Sequence, residues 1–246
     1  MCFLCVVVPY PSWKTEKRQM SSIRRTPKTE NTAKSSCDRD LILKILMIGG
    51  PGCGKTSLIR RYVHDAFHST MRATVGVDFA LKQVHRCGGS QTLQLWDVAG
   101  QEKGANAIRV YFQAAAGAMI VCDATRLDET LPLAILWKRD IDSKVFVGPK
   151  EERIPCILLV NKCDVEPLTQ SHKELLDTTC HEHHFCGWLA TSAKANTNVA
   201  EAFEMITDHV LAFIKRIDDL ITKSLNRKSV TLNELDKPTP ESRCPC

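Results

Sequence analysis

Leu41 to Arg60 reads LILKILMIGGPGCGKTSLIR, and this stretch decides the fold. Its first half is apolar, Leu41, Ile42, Leu43, Ile45, Leu46, Met47 and Ile48, broken only by Lys44. That pattern predicts a strand buried on both faces. Gly49-Gly50-Pro51-Gly52-Cys53-Gly54-Lys55-Thr56 follows and fits G-x-x-x-x-G-K-[ST]. Thr56 to His64 then predicts a helix, with Leu58, Ile59, Tyr62 and Val63 as its apolar positions. Strand, glycine loop and helix, in that order, are the context that gives the loop motif its meaning.

The residue types fit the holding of a triphosphate. Where backbone meets phosphate oxygen the loop needs residues without Cβ. Its N–H groups make an anion nest, and the following helix adds its positive N-terminal end. Gly50, Gly52, Cys53 and Gly54, with Lys55, Thr56 and Ser57, make up this phosphate end. Lys55 supplies a mobile charge for the outer phosphates, and Thr56 a hydroxyl for Mg²⁺.

The 246 residues suffice for one domain plus tails. The 12 cysteines are scattered rather than framed, which predicts a reducing, cytosolic compartment. No run reaches the roughly 18 apolar residues of a membrane-spanning helix. Residues 1–40 hold eight basic residues against four acidic ones, +4 of the chain's +5. The rest is near neutral, which argues against a nucleic-acid partner. Met1 to Val8 is apolar but has no basic residue ahead of it and stops at Pro9, which argues against a signal peptide. Cys2 and Cys5 lack a second pair for zinc. Residues 1–40 are expected to be a disordered basic extension.

After the first helix come Phe67, Thr74 and Gly76, then a strand over Phe79 to Arg86, a Gly88-Gly89 turn and an antiparallel partner over Thr92 to Asp97. Asp97-Val98-Ala99-Gly100-Gln101-Glu102 follows. Asp97, at a strand's carboxyl end, stands where open α/β sheets put ligand chemistry and can hold a metal's water shell. Gly100 can offer an N–H to a γ-phosphate, and Gln101 can orient a water for in-line attack.

Cys156 to Val160 predicts a short buried strand ending in Asn161-Lys162-Cys163-Asp164. Guanine presents N1–H and N2–H₂ side by side, and the Asp164 carboxylate can accept both. Such a site rejects a base lacking the amino group by about 10⁴-fold. Asn161 is expected to brace the loop, and the Lys162 stem to cover the base. A later apolar stretch ends in Thr191-Ser192-Ala193-Lys194, where the Ala193 N–H can reach guanine O6.

GGPGCGKT, Thr74, WDVAGQE, NKCD and TSAK, in that order, resemble the Ras-superfamily small GTPases. TVGVDF, WDVAGQE and the ending Cys244-Pro245-Cys246 resemble Rab proteins. RYVHDAF, RATVGVDFALK, RVYFQAAAGA, LWKRDIDSKV, IPCILLVNKCD and GWLATSAKANTNVAEAF are similar to the Rab branch associated with melanosomes and other lysosome-related organelles. The resemblance covers residues 41–215 and the last three. It implies that Phe67 packs edge-on against guanine and that Thr74 binds Mg²⁺ and γ-phosphate. Asp97 would hold Mg²⁺ through water. Phe79, Trp96 and Tyr111 would be the aromatic triad read by effectors. Cys244 and Cys246 would carry two geranylgeranyl groups. It also implies GTP and GDP as ligands, Mg²⁺ as cofactor and catalysis by Gln101 with Lys55. The implied partners are an exchange factor, a GTPase-activating protein, GTP-state effectors, a prenylation escort and a GDP-dissociation inhibitor. Two positions depart from the pattern: Pro51 removes a loop N–H, and Lys103-Gly104 replaces the usual Arg-Phe.

The remaining chain predicts a buried strand over Gly117 to Cys122 and a helix over Thr130 to Val145 with Pro132 in its first turn. A loop over Phe146 to Pro155 and a polar helix over Thr169 to His184 follow. The Cys180, His181, His183, His184, Cys186 cluster fits no closed zinc site. A last helix carries Val199, Phe203, Ile206, Val210 and Phe213 and runs as far as Leu225. The expected fold is an α/β P-loop NTPase domain of the Ras-like type over 41–223, with a six-stranded, mainly parallel sheet covered on both faces. A flexible prenylated tail over 224–246 completes it. The expected function is a GTP/GDP switch in vesicle and membrane traffic, found on the cytoplasmic face of intracellular membranes with a cytosolic pool. The rival reading is a nucleotide-binding membrane scaffold that hydrolyses little or nothing.

Overall fold

The computed structural model describes residues 41–70, 72–86, 89–100, 110–148 and 150–235, with side chains through residue 224. Elements are numbered within these residues. β1 (Leu41–Gly49) lies at the centre of a six-stranded sheet of order β2-β3-β1-β4-β7-β8. β2 (Val77–Arg86) runs antiparallel to β3 (Gly89–Val98); β4 (Gly117–Asp123), β7 (Cys156–Asn161) and β8 (Trp188–Ala190) all run parallel to β1. The carboxyl ends of β1, β3, β4 and β7 therefore share one edge. The chain crosses from the β3 side of β1 to the β4 side there, which is where such sheets open a binding crevice.

The alternation of side chains in β1 serves both faces. Leu46 and Ile48 pack under α2 (Leu127–Lys144), against Leu131, Ala134 and Trp137; α3 (Gln170–Glu182) adds Leu176 and Cys180 to this layer. Ile45 and Met47 pack on the opposite face, under α1 (Lys55–His64) and α4 (Val199–Leu235), with Leu58, Phe203 and Ile206. The Tyr62 and Phe203 rings stack at 3.9 Å and 8°, tying α1 to α4. Phe203 is fully buried, and its truncation to Ala would cost about 3–5 kcal/mol.

Several boundaries depart from the sequence reading: β2 begins at Val77 and β3 at Gly89, each a little earlier than expected, and the larger differences lie downstream. α2 starts at Leu127, so Pro132 sits inside it rather than in its first turn. A short 3₁₀ turn, Ala124–Arg126, leads into it, seeded by the Asp123 side chain accepting from the Thr125 N–H. The turn starts the helical path upstream of Pro132, which sits inside α2 without an N–H to donate. Thr169 lies outside α3 as its N-cap, in a reciprocal pair with His172. The expected loop over Phe146 to Pro155 contains a small hairpin, β5 (Phe146–Val147) with β6 (Glu152–Arg153). The largest correction is at the end. α4 continues through Leu235, so residues 224–235, expected in the flexible tail, are helical. No glycine or proline interrupts Val199 to Leu235, and the first breaker downstream is Pro238. The expectations for residues 1–40, Gln101, Lys103-Gly104 and Cys244-Pro245-Cys246 lie outside the described residues.

Candidate functional site

A cleft of about 410 Å³ opens at the shared strand edge. Gly52, Gly54, Lys55, Thr56, Ser57, Phe67, Thr74, Gly100, Asn161, Lys162, Asp164, Ala193 and Lys194 line it. Of the other residues assigned to nucleotide, Gly50, Cys53 and Ser192 are buried beside it rather than lining it. Pro51, His68, Ser69, Arg72, Ala73 and Val165 also line the cleft, and sequence reasoning assigned none of them to nucleotide.

At the phosphate end, Lys55 Nζ donates to the carbonyls of Gly49 (3.2 Å) and Gly50 (2.9 Å). Burial holds its ammonium below the usual lysine range. Gly54 takes φ 92°, and a Cβ there would collide with the Asn161 amide. A Cβ on Gly100 would stand 2.6 Å from Pro51 N, so the two loops meet at close quarters. Close backbone approach thus explains glycine at both positions.

Thr56, Thr74 and Asp97 converge. Thr56 Oγ1 donates to Asp97 Oδ2, Thr74 Oγ1 donates to the same oxygen at 3.4 Å, and the two hydroxyls stand 2.9 Å apart. Asp97 is only 3% exposed, and burial pushes its carboxyl above the usual range. Its second oxygen, Oδ1, is buried without a hydrogen-bond partner among the described residues. A buried orphan carboxylate oxygen is costly. An all-oxygen cluster with one unspent acceptor fits a hydrated Mg²⁺, which keeps several waters.

At the base end, Asn161 links three segments. Its Nδ2 donates to Cys53 O at 2.9 Å, and its Oδ1 accepts from Ala193 N at 3.2 Å and Thr191 Oγ1 at 3.5 Å. The Ala193 N–H expected to reach guanine O6 is thus already engaged by Asn161. Ser192 Oγ donates to Asp164 Oδ1 at 2.6 Å and accepts from Ala195 N at 2.9 Å, fixing the carboxylate that faces the cleft. Lys162 lines the cleft with its stem, while its ammonium donates to Asp123 Oδ2 at 2.6 Å. Asp123 is fully buried. Burial pushes its pKa up, but hydrogen bonds from Lys162 and Thr125 outweigh this and hold it below the usual carboxylate range. The sequence reading gave Asp123 no role, and nothing in its neighbours announces the pairing with Lys162.

Phe79, Trp96 and Tyr111 form a chain of rings with centroids 6.3 Å and 6.5 Å apart. Phe79 is 62% exposed at the sheet edge. Lys44 Nζ sits 3.6 Å from the Trp96 ring centroid, and burial lowers its pKa to about 8.

Fold and cleft together define a P-loop nucleotide switch. The Ras family profile matches residues 44–212. The chain is 45% identical to Ras-related protein Rab-32 of Sus scrofa over 177 residues, 71% of this chain and 76% of the relative. It is 42% identical to Ras-related protein Rab-32A of Dictyostelium discoideum over 186 residues, 74% and 84%. It is 36% identical to Ras-related protein Rab-7L1 of Rattus norvegicus over 207 residues, 84% and 98%. The chain belongs to the Ras family, in its Rab branch. It is a small GTPase that binds GTP and GDP with Mg²⁺, hydrolyses GTP and acts in membrane traffic in association with endomembranes. Hydrolysis sets the scaffold reading aside.

Proposed function

We infer that the chain switches between a GTP form that gathers effectors and a GDP form that releases them, on the cytoplasmic face of endosomal or lysosome-related membranes. The convergence of Thr56, Thr74 and Asp97 carries this reading, because it ties a solvent-facing segment to the phosphate-binding helix through a cluster that fits Mg²⁺. Mg²⁺, when bound, would supply positive charge against the phosphates. Thr56 and Thr74 supply hydroxyls to that cluster and Asp97 holds its water. Lys55 leaves the loop carbonyls for the outer phosphates, and the Gly100 N–H meets the γ-phosphate. Gln101 orients the attacking water. Asp164 reads the guanine donor pair, held by Ser192. Hydrolysis removes the contacts that order the Thr74 and Gly100 segments.

Phe79, Trp96 and Tyr111 read out the state to effectors. An exchange factor and a GTPase-activating protein set the cycle. Geranylgeranyl groups on Cys244 and Cys246 anchor the chain, and an escort and a GDP-dissociation inhibitor shield them in the cytosolic pool. Nucleotide competition with and without Mg²⁺ tests the switch: GTP and GDP should compete, and ATP should not at a thousandfold excess. Equal competition by ATP would overturn the assignment of Asp164. Imaging the tagged chain against organelle markers tests the membrane assignment, and exclusion from endosomal and lysosome-related markers would overturn it.

A further inference from the structure

Ala193 is held by both of its backbone polar groups. Asn161 Oδ1 accepts from its N–H, and Arg61 Nε donates to its carbonyl at 2.9 Å. Arg61 Nη2 also donates to the next carbonyl, Lys194 O, at 3.2 Å, while Nη1 donates to Asp65 O at 3.0 Å. Arg61 belongs to α1, the helix that opens with Lys55 and Thr56. Asn161 reaches in the other direction, to Cys53 O in the phosphate loop. The contacts therefore close a ring: Cys53, Asn161, Ala193, Arg61, and back along α1 to the loop. Ser192, next to Ala193, fixes Asp164. The Arg61 side chain is 15% exposed, and its planar fork matches two adjacent carbonyls in a way that a lysine cannot.

We propose that Arg61 is a positioning residue for guanine recognition, which sets how long the nucleotide stays bound and how sharply the 2-amino group is read. It touches no nucleotide; it acts by fixing the Ala193–Lys194 carbonyls and, through Ser192, the Asp164 carboxylate. The inference rests on the reading of Asp164 as the base-selecting carboxylate.

The test measures dissociation of GDP and of IDP, which lacks the 2-amino group, from the full-length chain at saturating Mg²⁺. Arg61→Met should speed GDP release about tenfold, the effect of losing 1.4 kcal/mol. It should narrow the GDP-over-IDP ratio, because Asp164 loses its fixed orientation. Arg61→Lys should fall between, since one ammonium cannot serve both carbonyls. Asp65→Asn, which weakens the exposed ion pair from Asp65 Oδ1 to Arg61 Nη1 (3.0 Å) but leaves both carbonyl contacts of Arg61, should change release by no more than about twofold. Release of GDP and IDP sped equally would show a merely structural role and overturn the proposal. So would an unchanged GDP rate in folded Arg61→Met, or in Arg61→Lys where the Met variant does not fold. If the wild type itself failed to distinguish GDP from IDP, the Asp164 assignment would be at fault instead.

Discussion

Thr56 and Thr74 are eighteen residues apart in the chain, yet their hydroxyls stand 2.9 Å apart on a shared Asp97 oxygen. Thr56 is fixed by its helix. Thr74 is half-buried between exposed neighbours, so its hydroxyl is what fastens that segment to the site. Thr74→Ala should reduce the preference for GTP over GDP by about tenfold, the effect of one hydrogen bond to a charged partner. Adding EDTA should erase the difference between variant and wild type. Paired equilibrium titrations measure both, and an unchanged preference in Mg²⁺ would refute the role.

Asp164→Asn should move base preference from guanine toward xanthine, whose C2 oxygen complements an amide. The loss for GTP should reach about 10⁴-fold. Ser192→Ala, which removes the 2.6 Å donor to Asp164, should weaken GTP without creating a xanthine preference. Competition with XTP separates the two variants.

Intrinsic hydrolysis should be slow, about 10⁻⁴ s⁻¹, as in comparable switches without an arginine finger; Arg72, which lines the cleft, is exposed and held by no hydrogen bond among the described residues. Arg126 does reach the phosphate loop, its Nη2 3.4 Å from Pro51 O. Its charge is already shared with Asp123 at 3.3 Å and Glu129 at 3.9 Å, so it is no free stabiliser of the transition state. Gln101→Leu should slow turnover further, and Lys55→Asn or Thr56→Asn should weaken GTP binding. Single-turnover rates decide it: unaided turnover on the order of 1 s⁻¹ would mean a catalytic group has been missed.

Asp123 links pH to stability. Its folded pKa lies below that of an unfolded carboxylate, about 3.9. Its contribution is therefore full above that value and lost as pH falls through the folded pKa. Asp123→Asn should destabilise the domain at pH 7 by about 2 kcal/mol, leaving Lys162 and Arg126 without their shared acceptor. The difference from wild type should shrink below about pH 4. Thermal melts across pH 3 to 7 read both effects, and a constant offset would contradict them.

Changing both Cys244 and Cys246 to Ser should leave nucleotide binding intact and release the chain to the soluble fraction. One lipid chain gives only marginal membrane binding, so either single change should leave a partial, reversible association. Sedimentation after a high-salt wash is the measurement. A double variant that still pellets would move attention to Cys2 and Cys5.

Much of the site was legible because its chemistry sits in short contiguous motifs at strand ends. Lys55, Thr56, Asp97, Asn161 and Asp164 could each be assigned from their neighbours in sequence. Arg61 and Asp123 could not. Arg61 bonds carbonyls more than 130 residues away, and neither its residue type nor its helical spacing announces that. The sequence reading gave a role only to the Lys162 stem, and the fold supplies its ammonium with a carboxylate from another strand. The position of Pro132 was misread because a proline is equally compatible with a helix start and with a helix whose cap lies upstream. The length of α4 was underestimated for a different reason. Apolar periodicity over Val199 to Phe213 marks where the helix packs on the sheet and carries no signal for where its backbone stops.

That continuation gives the switch a rigid boom. Among the described side chains of α4, Ile217 is the last fully in the core and Leu220 packs against it, and the helix runs on to Leu235, about 27 Å beyond Ile217. Eleven residues then remain to Cys246, which can span at most about 40 Å. With Cys244 and Cys246 lipidated as proposed, the helix and those eleven residues together would cap how far the core can stand from the membrane, and a helix in place of a 23-residue coil shortens that reach.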